Sequence, residues 1–191
     1  MSHLHAYLET LARATAQTQV TANGKPLALD AAIDEAIAAA KAAHAAGNTL
    51  MIVGNGGSAG IASHTAIDLS KNAQIRTLAL NDSSALTCLA NDYGYEHVFA
   101  KQIEYHGRAG DILIAISSSG RSKNILNAVA AARTAKMKAF TFSGFTPDNP
   151  LRTAGDLNFY VPASEYGFVE IAHQALLHAV IDLKIGWKPA N

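Results

Sequence analysis

The sequence predicts an α/β fold: a parallel sheet of five strands with helices on both faces. Short apolar runs recur along the chain, segments with helical spacing separate them, and a glycine-rich or serine-rich loop follows two of the runs. Runs of this length that are apolar throughout suit strands buried on both faces.

The elements follow in order. Leu4, Leu8, Leu11 and Ala12 recur at helical spacing over 3–20, and Ile33 and Ile37 do so over the alanine-rich stretch 29–46, which Gly47 stops. TANGKP between them is turn chemistry. This helix pair has little core of its own and is expected to pack on a partner subunit, as oligomerisation helices. Strands are then predicted at 49–53 (TLMIV), 75–80 (IRTLAL), 111–116 (DILIAI), 137–143 (MKAFTFS) and 156–161 (DLNFYV). Helices fall at 58–70, from 83 to about 90, within 91–107, at 121–136, briefly at 147–154, and at 166–184. The chain reads as a single domain over 1–191, with N-terminal helices at 1–47 and an α/β core at 48–191.

Composition excludes several classes. Hydrophobic residues make up 49% and charged ones 16%, which describes a compact core rather than a disordered chain. Lys+Arg and Asp+Glu are both 15, so the basic excess of a nucleic-acid surface is missing. The single Cys88 allows no internal disulfide and suits a reducing compartment. No apolar run reaches the length of a membrane span, and MSHLHAYLETLARATAQ lacks the charged start and apolar block of a secretory signal. A cytoplasmic protein with no membrane partner is expected.

The loop GNGGSA (54–59) opens a helix directly after a strand, where bare backbone N–H groups meet phosphates. Its G-x-G-x-x-A spacing matches a dinucleotide fingerprint, with Asp82 as a ribose partner; glycines serving only tight packing are the alternative. No Lys-Ser/Thr follows, so it is not a P-loop. The second loop, ISSSGRSKN (116–124), sits in the corresponding place on a later strand. Ser117, Ser118, Ser119 and Ser122 offer hydroxyls, Gly120 lets the chain turn, and the helix start adds N–H donors. One serine suffices to cap a helix, so four within six residues suggest a polyoxygen anion. Two anion-like loops without a nucleotide lysine fit a compact phosphate monoester better than a dinucleotide.

GNGGSA, then His64, ANDYGYE at 90–96 and SSSGRS at 117–122 resemble the sugar isomerase (SIS) domain family, most closely its phosphoheptose isomerase branch. The resemblance runs over essentially the whole chain and implies a flavodoxin-like fold and a homotetramer with active sites between subunits. The implied activity interconverts sedoheptulose 7-phosphate and a heptose 7-phosphate without a nucleotide. It further implies that Ser117, Ser118, Ser119 and Ser122 hold the phosphate. Asn55, Gly56, Gly57 and Ser58 would line the sugar, and Asn91 and Asp92 would contact its hydroxyls.

The family carries a His and a Glu four residues apart on the helix after the glycine loop; here they are His64 and Asp68. Its last helix brings a Gln and, eight residues on, a His; here they are Glu170 and His178. A longer Arg- and Pro-containing segment before the second strand is replaced by DLSKNAQIRT. Carried over, Asp68 is the general base and His178 the acid, with Glu170 as a second carboxylate able to take the proton. The same four residues form a zinc set, since some members of the branch hold zinc with this constellation and two imidazoles with two carboxylates suit the ion. Two other functions stay open: an isomerase of a different sugar phosphate, and a non-catalytic role. A relative with this fold binds the bacterial replication initiator protein.

Other singled-out residues read as structural. His173 is expected to be a hydrogen-bonded core residue, His97 and His106 solvated, Cys88 a core filler, and Tyr93 and Tyr95 packing residues.

Overall fold

A computed structural model describes residues 2–189. Helix α1 (His3–Ala16) is capped by the Ser2 side chain and leads into a hairpin of β1 (Gln19–Ala22) and β2 (Lys25–Leu27). Helix α2 (Leu29–Ala45) follows, and then β3 (Leu50–Gly54), α3 (Gly57–Lys71), β4 (Thr77–Ala79), α4 (Ser83–Tyr93) and α5 (Val98–His106). The chain continues through β5 (Ile112–Ser117), α6 (Lys123–Thr134), β6 (Lys138–Ser143), a short 3₁₀ turn at Pro150–Thr153, β7 (Leu157–Tyr160) and α7 (Tyr166–Ile185).

The sheet has seven strands in the order β2-β1-β7-β6-β5-β3-β4, not five. The five expected strands are all present and parallel, but β1 and β2 extend the sheet antiparallel beyond β7. The predicted first helix therefore ends early, and residues 17–20 leave it to pair Gln19 with Tyr160 and Val20 with Phe159. The turn is Asn23-Gly24, with φ of 49° and 77°, the left-handed pair that matches strand twist in a two-residue hairpin.

The central strands alternate between two cores. Leu50, Ile52, Ile112, Ile114 and Ile116 face α2, α3 and α7, whereas Met51, Val53, Leu113 and Ala115 face α5 and α6. Buried Asp111 ties the base of the sheet, accepting from the backbone N–H groups of Thr49 and Arg108 at 2.8 Å each. After β4 the chain crosses to the other side of β3 to form β5, so strand order reverses between β3 and β5. Ligands of open α/β sheets bind at the carboxyl ends of strands flanking such a reversal. Among the described residues, no helix is long and apolar enough to cross a membrane.

Candidate active site

Both anion-like loops leave the sheet at that reversal. Gly54 at the end of β3 pairs with Ile116 of β5, so the glycine loop and the serine loop rise side by side. Gly56 precedes α3 with φ 53° and ψ −121°, a conformation that side chains avoid. Gly120 turns the serine loop with φ 62°, and a Cβ there would collide with the Asn149 side chain.

Neither helix start is capped by a side chain. Gly56 has none to offer, and Ser122, the N-cap of α6, makes no side-chain capping bond. The reading of the serines as simple helix caps is thus set aside, and two sets of N–H donors with their positive dipole ends remain open. Ser117 and Ser122 hydroxyls are 3.2 Å apart, and Ser119 accepts from the Arg121 backbone N–H at 3.3 Å. The Ser118 hydroxyl is buried and has no hydrogen-bond partner. A buried hydroxyl without a protein partner in a pocket wall is free to bond a ligand or an ordered water.

These loops enclose an open cavity of ≈ 260 Å³, lined by Asn55, Gly56, Gly57 and Ser58 on one side and by Ser117, Ser118, Ser119 and Ser122 on the other. All eight expected loop residues are therefore in one wall or the other. The volume suits a single sugar phosphate. Asp82 is spent on capping α4, accepting from Ala85 N–H at 2.9 Å.

The start of α7 closes the cavity with Tyr166 and Glu170. The Glu170 carboxylate lies on the glycine loop: Oε1 is 2.6 Å from the point a Cβ on Gly57 would occupy. A Cβ on Gly57 would push the carboxylate off the loop.

The other three expected catalytic residues gather elsewhere. His64 Nε2 stands 3.2 Å from Asp68 Oδ2, and His178 Nδ1 stands 3.9 Å from the same oxygen. The two imidazoles meet edge to face with centroids 5.2 Å apart. One ligand atom from each of the three lies within 4.8 Å of the others, and Glu170 is outside this group. Asn91 and Asp92 also lie away from the cavity, exposed on the last turn of α4 and bonded to one another at 2.9 Å.

Three residues of the site were not expected. Asn55 is clamped by Asn124, the two amides exchanging bonds of 2.9 and 2.8 Å, and its Oδ1 also accepts from the Tyr95 hydroxyl at 2.9 Å. Tyr95 thus holds a cavity residue in place without lining the cavity itself, and Tyr166 joins the cavity wall. Asn124 stands in the quoted SSSGRSKN segment but showed no sign of its partner, 69 residues away.

Of the residues read as structural, His173 is in the core as expected, with Nε2 3.1 Å from the Ser143 carbonyl. Complete burial pushes its pKa down to about 4, the carbonyl opposing only in part. His106 is exposed, His97 is half-buried, and Cys88 is exposed rather than a core filler.

The SIS domain family model matches residues 11–144. The chain belongs to the SIS domain family, in its phosphoheptose isomerase branch. It is 36% identical over 189 residues to the phosphoheptose isomerase of Bradyrhizobium sp. (strain BTAi1), covering 95% of this chain and 89% of the relative. The Helicobacter pylori (strain P12) phosphoheptose isomerase is 37% identical over 139 residues, 70% of this chain and 72% of that one. Among solved structures, the phosphoheptose isomerase of Neisseria gonorrhoeae aligns with a TM-score of 0.81 at 32% identity, over 95% of this chain and 97% of that one. The Francisella tularensis enzyme aligns with a TM-score of 0.83 at 28% identity, over 98% and 100%. SIS membership agrees with a phosphate-type cavity at the sheet reversal.

Proposed function

We propose that this chain interconverts sedoheptulose 7-phosphate and heptose 7-phosphate, an aldose–ketose isomerisation through an enediol. The observation that carries the reading is the convergence of two uncapped helix starts and an unpartnered serine hydroxyl on one cavity of sugar-phosphate size. The relatives' names supply the seven-carbon substrate.

The phosphate binds at the start of α6, where Ser117, Ser118, Ser119 and Ser122 supply hydroxyls and the backbone supplies N–H donors. Asn55, Gly56, Gly57 and Ser58 run along the sugar chain, and the clamp from Asn124 and Tyr95 fixes the Asn55 amide before substrate arrives. Asn91 and Asp92, on an exposed surface, reach a sugar only across a subunit contact. That arrangement agrees with a homotetramer whose active sites lie between subunits. Support comes from the exposed apolar side chains of α1 and α7, among them Leu4, Leu8, Ile171 and Trp187 just beyond α7, each more than half exposed. In this reading the whole chain is one SIS domain, working in the cytoplasm without a nucleotide.

Two imidazole nitrogens and a carboxylate oxygen within 4.8 Å of one another fit a zinc ion, so His64, Asp68 and His178 would hold it. Such an ion supplies charge that polarises a sugar oxygen. Glu170 remains on the cavity wall as the carboxylate facing the sugar.

Proton NMR of sedoheptulose 7-phosphate in D₂O tests the assignment. New aldose signals and deuterium at carbon 1 are expected on adding the protein, and their zinc dependence reports on the His/Asp group. An unchanged spectrum with and without Zn²⁺ contradicts it.

A further inference from the structure

The serine loop is held from behind by one short segment. Residues 144–151 lead from β6 into the 3₁₀ turn, and their backbone reaches the loop twice. Gly144 N–H donates to the Ser118 carbonyl at 2.9 Å, and Leu151 N–H donates to the Gly120 carbonyl at 3.2 Å. The Arg121 guanidinium adds bonds to the Thr146 hydroxyl at 3.3 Å and the Asp148 carboxylate at 3.2 Å. That ion pair is exposed and screened by solvent, so the backbone bonds carry the brace.

The segment contains a strained turn. Phe145 sits at φ 59°, in the left-handed region that a bulky side chain avoids, and such a conformation persists only where its surroundings hold it. Asn149 supplies that hold. It is buried, and its Nδ2 donates to the carbonyls of Gly144 at 3.2 Å and Thr146 at 2.8 Å, the two residues that flank Phe145. Its Oδ1 accepts from the Arg152 N–H at 3.0 Å, which ties down the far end of the segment. The same side chain fills the space beside Gly120, where an added Cβ would collide with Oδ1. The Phe145 ring in turn meets the ring of Tyr166, a cavity residue, edge to face with centroids 4.9 Å apart.

We infer that Asn149 is a positioning residue for the phosphate. It does not line the cavity; it holds the turn at Phe145 and so fixes the Ser118 and Gly120 carbonyls, which sets the shape of the serine loop. The inference rests on the serine loop being the phosphate site in the proposed function, and it concerns that end of the site alone. Gly120 at φ 62° leaves an unsupported loop free to take other turns, and a loop that must be ordered on binding loses affinity by the entropy of ordering. Misplacing one charge-assisted hydrogen bond to the phosphate lowers affinity about tenfold or more.

Calorimetry with inorganic phosphate tests this on wild type, Asn149→Ala and Gly24→Val, each first shown to be folded by circular dichroism. Gly24→Val strains the β1–β2 hairpin outside the site and controls for lost stability alone. Asn149→Ala is expected to weaken phosphate binding about tenfold or more, with Gly24→Val binding as wild type does. KM for sedoheptulose 7-phosphate should rise in step while kcat stays within about threefold. A weakening smaller than about fivefold overturns the inference, and so does an equal weakening in Gly24→Val. If Asn149→Ala fails to fold, Asn149→Ser replaces it. That serine can still accept from the Arg152 N–H but loses both bonds around Phe145, and the same fivefold line decides. Failure of the isomerase reading looks different: the wild-type chain then binds phosphate but leaves the ketose unchanged, and Asn149 is judged on phosphate affinity alone. A wild-type chain that binds no inorganic phosphate overturns the inference together with the phosphate site.

Discussion

Ser118 carries the sharpest expectation among single residues. Its hydroxyl is buried and unpartnered, and a phosphate oxygen completes it in the proposed complex. A hydrogen bond to a charged group contributes about 1.5–3 kcal/mol, so Ser118→Ala should raise KM for the sugar phosphate at least about tenfold while kcat stays within about threefold. Steady-state kinetics check this, and an unchanged KM removes Ser118 from the phosphate site. Removing the clamp by Asn124→Ala should instead lower kcat/KM while leaving inorganic phosphate affinity unchanged, because Asn55 lines the sugar wall and not the phosphate wall. Both loops were legible in the sequence because glycine and serine chemistry is local. The Asn55–Asn124–Tyr95 clamp was not, since it joins residues from three separate segments that only the fold brings together. The His64, Asp68 and His178 group was legible through helical spacing and the family resemblance, while the position of Glu170 depended on where α7 crosses the glycine loop.

Among the elements, the β1–β2 hairpin shows where periodicity misleads. The apolar pattern of α1 runs on smoothly to Val20, and nothing local says that Gln19–Ala22 will leave the helix to pair with β7, more than 130 residues later. The Asn-Gly pair inside TANGKP did carry a hairpin signal, but a hairpin between two helices is stable only with a sheet edge to join. Gly24 holds φ 77°, so Gly24→Val forces a branched side chain into the left-handed region. The expected cost is about 1–3 kcal/mol, read as a lower melting temperature with kcat/KM unaffected; an unchanged melt contradicts the turn. The central strands β3, β5 and β6 were legible because their runs are apolar and buried on both faces, which is a property of each segment alone.

At the scale of the whole molecule, acid stability follows from His173. The imidazole is fully buried with its pKa pushed down to about 4, whereas the unfolded chain takes up the proton near the ordinary histidine value of 6.5. Between those values the unfolded state binds more protons, so stability falls as pH drops from 6.5 to 4 and is level above 6.5. At 1.36 kcal/mol per pKa unit the loss is about 3 kcal/mol. Urea melts from pH 7 to 4 should show this slope, and His173→Phe should flatten it. Assembly belongs to this scale too. Leu8, 51% exposed on α1, is expected to be covered by another subunit, so Leu8→Glu should lower the mass seen by light scattering. An unaltered mass places the contact elsewhere.

In the proposed reaction the paired loops at the sheet reversal recognise a sugar through its phosphate and present its carbons for isomerisation. The most direct measurement compares kcat/KM for sedoheptulose 7-phosphate with that for unphosphorylated sedoheptulose. A preference for the phosphate ester of about 1,000-fold or more is expected, since several charge-assisted hydrogen bonds are lost together with the phosphate. Equal rates on the two sugars would contradict it.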